Sequence, residues 1–276
     1  MPNTMLRKIQ SYGSIDVNPY SPPLGNDLFL KLNEFEPHLW SRFPPEIERL
    51  FNLNFERGMD EIWCKYSTYT ADLMQSLGRY FSGFTVGREN LFYKLINSLK
   101  EVNKIKECLF STINYDCLIE DASIKNGYKI DYNIEFNQNS QVLSILKLHG
   151  SCNFIIDKLD ASNIRVTRGI AFEGGIKIIH PSHVYSHFSG STSLPPIMSI
   201  YAKNKPLQVS PNIIKQIQNV WQEHSQIVER IIVIGINPNI EDRHKFIITS
   251  LINSRELVIV LKPGICNFSK ILFFIW

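Results

Sequence analysis

Two stretches hold the residues best suited to chemistry: Ser111-Thr112-Ile113-Asn114-Tyr115-Asp116 and Ser144-Ile145-Leu146-Lys147-Leu148-His149-Gly150-Ser151. Each carries an apolar run into polar groups. A neutral imidazole at His149 can take a proton near pH 7. Asn114 can orient a water or hold a sugar hydroxyl, and the Asp116 carboxylate can accept from an amide. A helical pattern starts directly after Asp116, so Asn114 and Asp116 stand between a strand and a helix. That is where open α/β sheets bind their ligands. Two such strand ends facing one site could bind a nucleotide and cleave a bond in it. The same residues also have a purely structural use, Asn114 and Asp116 as caps of the helix at 117 and His149 as the residue before a Gly150 turn. Spacing alone weighs the two uses equally.

A rival cluster is His180-Pro181-Ser182-His183-Val184-Tyr185-Ser186-His187, with three His in eight residues at the spacing of neighbours on a helix face. Imidazoles suit zinc or nickel. Neither a carboxylate nor a thiol lies nearby in sequence, and the expectation is a polar surface loop without a metal.

The elements that must position these groups alternate along the chain. Strands are expected at 108–113, 144–149, 231–234 and 257–261, with a small β meander over 150–180. Pro44-Pro45 and Ser210-Pro211 start helices with proline in the first turn. Residues 35–103 give only helical signals. Within them Ile62, Tyr66, Tyr69, Leu73, Leu77 and Tyr80 step by three and four, predicting one long amphipathic helix with a buried face. Leu91, Phe92, Leu95, Ile96 and Leu99 predict the next helix. Glu241-Asp242 begin another, through Phe246, Ile247 and Leu251. Before residue 24 the pattern is weak, and Met5, Leu6 and Ile9 are spaced more like a helix than a strand. The apolar end, Ile271-Leu272-Phe273-Phe274-Ile275-Trp276, reads as a last buried helix or the remnant of a longer chain. The βαβ order predicts an α/β fold with a parallel sheet.

At 276 residues the chain can bury a sizeable core, and 44% hydrophobic and 12% aromatic content are globular values. A formal charge of +3, with no basic block, does not imply nucleic acid. The five Cys are odd in number and form no C-x-x-C pair, so buried thiols are expected rather than disulfides or structural zinc. No apolar run reaches the roughly 18 residues of a membrane span. The N-terminus has no export h-region, and a soluble, cytoplasmic protein is expected.

The motifs resemble those of a known family. Thr112-Ile113-Asn114-Tyr115-Asp116 is similar to the sirtuin strand-end run Thr-Gln-Asn-Ile-Asp, which contacts the nicotinamide riboside part of NAD. Lys147-Leu148-His149-Gly150-Ser151 resembles the sirtuin His-Gly motif, whose His is the catalytic base. Ile234-Gly235-Ile236-Asn237-Pro238, with Asp242 beyond, resembles the segment that holds the adenosine ribose. The Asn-Tyr-Asp and Leu-His-Gly-Ser forms are those of bacterial sirtuin-like domains, several of which hydrolyse NAD in defence against phages. Asn54-Phe55-Glu56-Arg57-Gly58-Met59 and Pro23-Leu24-Gly25-Asn26-Asp27-Leu28-Phe29 also resemble that group. The likeness spans most of residues 13–262.

There are departures. Where sirtuins cradle the pyrophosphate with Gly-Ala-Gly-x-Ser, this chain has Gly13-Ser14-Ile15-Asp16-Val17, with a side chain in place of the second Gly and a carboxylate beside it. The four-Cys zinc module of the deacylases is absent.

The resemblance implies a single Rossmann-like, sirtuin-like α/β domain over 1–276 with a helical module inserted at 35–103. It implies NAD as the substrate, hydrolysed to nicotinamide and ADP-ribose without a metal, by a defence effector rather than a zinc-dependent deacylase. Asn114 and His149 are then catalytic, and Gly13, Ser14, Thr112, Asp116, Gly235 and Asn237 bind the dinucleotide. The alternative is a catalytically inactive or truncated sirtuin-like protein that binds a nucleotide or a partner. Expected partners are NAD or a related nucleotide, a second copy of the chain, or an activating phage or host protein, and neither a membrane nor nucleic acid.

Overall fold

Several helices in this chain start where proline or a side-chain acceptor relieves the unpaired first-turn amides. The computed structural model describes residues 4–6, 27–132, 141–166, 170–190, 194–202, 206–234, 257–260 and 271–275. α1 (Asp27–Phe35) leads into α2 (Pro37–Trp40) and α3 (Pro45–Leu53), both with proline in the first turn. α4 (Phe55–Lys65) is capped by Asn54, whose Oδ1 accepts from the Arg57 N–H at 3.1 Å.

The long helix expected from Ile62 to Phe81 is broken. A 3-10 turn at Ser67–Tyr69 intervenes, and α5 (Thr70–Ser82) starts afresh. Tyr66 leaves the helical region at φ −130, ψ 38, ahead of Ser67 and Thr68, residue types that disfavour a helix interior. The periodicity misled because each piece buries its own face: Ile62 on α4, and Leu73, Met74, Leu77 and Tyr80 on α5.

Two short strands correct the sequence reading further. β1 (Thr4–Leu6) pairs antiparallel with β2 (Phe84–Val86), where helical spacing and a purely helical 35–103 were expected. Phe84-Thr85-Val86 is β-branched and aromatic, which suits a strand once a partner lies beside it.

α6 (Leu91–Glu101) and a 3-10 turn bring the chain to β3 (Cys108–Thr112). α7 (Leu118–Lys125), β4 (Lys129–Asp131) and β5 (Val142–Lys147) follow. β6 (Phe154–Val166) and β7 (Ile170–Ile178) form a two-stranded antiparallel ribbon in place of a meander. The expected His loop is a helix, α8 (Pro181–Phe188), because Pro181 opens it and the His180 ring accepts from the Ser182 N–H at 3.3 Å. α9 (Pro211–Ile227), β8 (Arg230–Ile234), β9 (Leu257–Val260) and β10 (Ile271–Ile275) complete the described elements. The helix expected from Glu241 lies outside the described residues.

Six strands form one sheet in the order β4-β5-β3-β10-β8-β9, and every neighbouring pair is parallel. This is an α/β fold. The terminal run 271–275, expected as a helix or a remnant, is a central strand between β3 and β8. A short unbroken apolar run fits a buried helix or a buried parallel strand equally well by pattern, and only its neighbours decide.

The chain divides into two compact units. The first comprises Met1–Leu91, Tyr115–Leu118 and Gly150–Asn212, and holds α1–α5, α8 and the β1–β2 and β6–β7 pairs. The second comprises Phe92–Asn114, Ile119–His149 and Ile213–Trp276, and holds the six-stranded sheet with α6, α7 and α9. The helical stretch 35–103 therefore divides between them after Leu91.

An aromatic cluster fills the first unit. Phe29 stacks on Phe51 with centroids 4.8 Å apart, and Trp40 packs edge-on to both. Arg79 on α5 makes a two-pronged bond to Glu36, 2.7 Å on each side, and also donates to the Phe188 carbonyl at the end of α8. Gly58 lets α4 approach this cluster, since a Cβ there would lie 2.3 Å from Phe51 Cδ1. The Phe51 ring is fully buried and stacked, so it cannot swing aside. Gly58→Ala is therefore expected to lower stability by about 1–3 kcal/mol, although alanine favours helix. Urea denaturation checks this, and an unchanged midpoint would refute the overpacking argument.

Candidate functional site

The second unit brings two of the expected residues to neighbouring strand ends. β3 and β5 run side by side with Phe110↔Ile145, Ser111↔Leu146 and Thr112↔Lys147 in register. The Leu148 N–H donates to the Thr112 carbonyl at 2.9 Å, which carries the ladder one step further. Asn114 and His149 each stand two residues past the last register pair, at the carboxyl edge of the sheet. β3 and its neighbour β10 also lie where the order reverses, with β5 and β4 on one side and β8 and β9 on the other. Open sheets bind ligands at such a reversal.

The backbone around these residues is held by side chains. Thr112 is buried, and its Oγ1 accepts from the Asn114 N–H at 3.0 Å, turning the chain at the strand end. From α9, Gln218 Nε2 donates to the Leu148 carbonyl at 2.8 Å, just ahead of His149. Also from α9, the Trp221 indole donates to Ser111 Oγ at 3.0 Å. Gln218 and Trp221 were not singled out from sequence as site residues. Trp221 sits in the apolar face of its helix and signals packing, whereas Gln218 carries no local signal. Asn114 is half-buried and His149 is 3% exposed.

A buried ion pair braces the same strand. Lys147 Nζ lies 3.3 Å from Glu120 Oε1 on α7, and both side chains are 1% exposed. The Tyr132 hydroxyl donates to the same oxygen at 3.3 Å. A charge in a buried strand demands an opposite charge within reach. Lys147 in an apolar run announced that need, but nothing in the sequence pointed to Glu120 as the partner.

The first unit contains the segments that follow both motifs. Asp116 Oδ1 accepts from the Leu118 N–H at 3.0 Å, so this carboxylate starts α7. The Tyr115 ring packs against Phe81 and Tyr201, at 6.0 and 5.8 Å between centroids. Burial above all, and then the neighbouring Tyr201 and Glu56, push its phenol well above the ordinary value. The Tyr115 carbonyl accepts from the Cys152 N–H at 2.8 Å and from the Ser151 hydroxyl at 3.4 Å. Gly150 has φ +83 and pairs with Met198 across an isolated bridge.

Thr112, Asn114 and His149 thus share the sheet unit, while Asp116 belongs to the other. Gly13, Ser14, Gly235 and Asn237 lie outside the described residues; in sequence, Gly235 directly follows β8. At the start of α8 the rings of His180, its cap, and His183 are 5.9 Å apart. Burial, and then the charge of Lys177, hold the His187 imidazole below its ordinary pKa. Among the described residues, no group of three or more His, Cys, Asp or Glu is placed to hold a metal. Of the five Cys, Cys108, Cys117 and Cys152 are buried as expected, whereas Cys64 is exposed. Among the described residues no helix is long and apolar enough to cross a membrane. Neither a family model nor a curated protein matches the chain.

Proposed function

We propose that this chain is a sirtuin-like, Rossmann-like NAD hydrolase, acting in the cytoplasm as an effector of defence against phage. The observation that carries the reading is the placement of Asn114 and His149 on the register-matched ends of β3 and β5. An amide and an imidazole so placed suit hydrolysis at a ribosyl carbon. The C1′–N1 bond of NAD breaks and its electron pair leaves with nicotinamide. Water adds to the oxocarbenium-like ribosyl carbon. Asn114 positions the ribose or that water, and His149 takes the proton that the water gives up. The resemblance assigns Asp116 to the nicotinamide carboxamide.

Two observations favour a second reading, an inactive sirtuin-like module that binds a nucleotide or a partner protein. The pyrophosphate loop expected at 13–17 has Ile15 and Asp16 where glycine and a neutral residue would serve. The strand preceding that loop, β1, pairs with β2 and not with the parallel sheet.

NAD incubated with purified protein, with nicotinamide and ADP-ribose followed by chromatography, separates the two. His149→Ala and Asn114→Ala are each expected to slow nicotinamide release by about 100-fold or more. Release undiminished in the double variant would overturn the hydrolase. ADP-ribose binding without release by the unaltered chain would favour the second reading.

A further inference from the structure

Cys117 lies three residues beyond Asn114, and Cys152 three residues beyond His149. Both thiols belong to the same compact unit. Their sulfurs are 3.5 Å apart, with Ser151 Oγ 3.9 Å from Cys117 Sγ. Their relative exposures are 2% and 0%. The Tyr115 carbonyl keeps the two segments in register by accepting from the Cys152 N–H at 2.8 Å. A disulfide requires a sulfur separation of about 2.05 Å, so the thiols need to close by only roughly 1.5 Å. No sequence rule finds this pair, since 34 residues separate the two and no C-x-x-C exists.

We propose that Cys117 and Cys152 form a reversible oxidation site, which a peroxide converts to a disulfide that staples together the segments following Asn114 and His149. One thiolate attacks a peroxide oxygen. The O–O bond breaks, and hydroxide departs and is protonated to water, leaving a sulfenic acid. The second thiol attacks that sulfur and the S–O bond breaks. The departing hydroxide takes up the remaining proton as a second water. Two thiols lose two electrons and one peroxide is reduced to two waters.

The neighbouring cysteines differ in kind. Burial pushes the Cys108 thiol up to about 12, and its Sγ bonds the Lys104 carbonyl at 3.2 Å rather than a second sulfur. Cys64 is exposed and has no thiol within reach among the described residues, so it stops at the sulfenic acid or proceeds to higher oxides. For the buried pair, the adjacent thiol captures the sulfenic acid before a second peroxide arrives. The inference stands independently of the NAD reading.

The test treats the full folded chain, carrying Cys108→Ser, with hydrogen peroxide, then alkylates it in denaturant and digests it with trypsin. Each candidate thiol then lies in its own peptide, 107–125 or 148–158. The expected result is a linked 107–125/148–158 peptide that a reductant separates, together with slower amide exchange at Cys152 in the oxidised protein. Cys152→Ser abolishes the link and leaves Cys117 open to a sulfenic-acid trap. Should Cys108→Ser fail to fold, fragment ions of the linked peptide from the unsubstituted chain distinguish Cys117 from Cys108. Oxidation of Cys64 without the linked peptide would overturn the proposal. So would a link that forms only when the chain is unfolded before peroxide is added.

Discussion

Gly150→Ala is expected to cost at least about 4 kcal/mol of folding stability, enough to unfold a chain of ordinary margin. At φ +83, Gly150 occupies a region that an L side chain enters at a cost of about 1–2 kcal/mol. The larger part comes from what the new methyl would meet. A Cβ at 150 would lie 2.0 Å from the Ile197 carbonyl oxygen and 2.9 Å from Met198 Cα. These are backbone atoms, so no rotamer change relieves the overlap. That backbone is itself tied, because Ser151 donates to the Ile197 carbonyl at 3.0 Å and Ile197 donates to Phe154 at 2.8 Å. Moving it away breaks those bonds. Gly127 supplies the control, with φ +89 and nothing within 4 Å of its would-be Cβ. Gly127→Ala isolates the conformational cost, about 1–2 kcal/mol. Urea denaturation of both variants measures the difference, and equal losses would refute the clash.

The second large effect concerns the Lys147–Glu120 pair. Lys147→Met removes the cation 3.3 Å from the buried Glu120 carboxylate, and Glu120→Leu removes the carboxylate beside the buried Lys147 ammonium. Each is expected to cost about 3–5 kcal/mol. The double variant removes both charges while keeping most of the volume, and is expected to fall within about 1 kcal/mol of the unaltered protein. The Tyr132 hydroxyl loses its acceptor in either Glu120 variant, which sets a small residual cost. A double-mutant cycle in denaturant reads the coupling directly. Additive losses would show that the 3.3 Å pair contributes no mutual stabilisation. Lys147 lies two residues ahead of His149, so the single variants also test whether the strand end keeps its register.

How far these features were legible depended on how local their causes are. β3, β5, β8 and β9 were found by pattern because strands of a parallel sheet read as near-continuous apolar runs. α3 and α9 were found because proline in the first turn marks a helix start wherever it occurs. Asn114 and His149 stood out by residue type and by position after apolar runs. Their side-by-side placement required the β3–β5 pairing, which has no local signature. The same holds for Glu120, whose role exists only because α7 lies over β5 at Lys147.

The failures follow the same line. The break at Tyr66 escaped notice because two short helices that each bury their own face keep one periodicity across the break. The His run became α8 because a proline start and a His180 cap outweighed the polar composition. The amino-acid sequence alone determined the class of fold, the main strands and the residues equipped for chemistry, since each of these is written in composition and short-range spacing. Only the tertiary structure decided that the run 271–275 is the central strand, that Gly150 lies against the Ile197 backbone, and that Cys117 meets Cys152. Those are choices among partners far apart in the chain, and burial and sterics select among them only once the whole core is assembled.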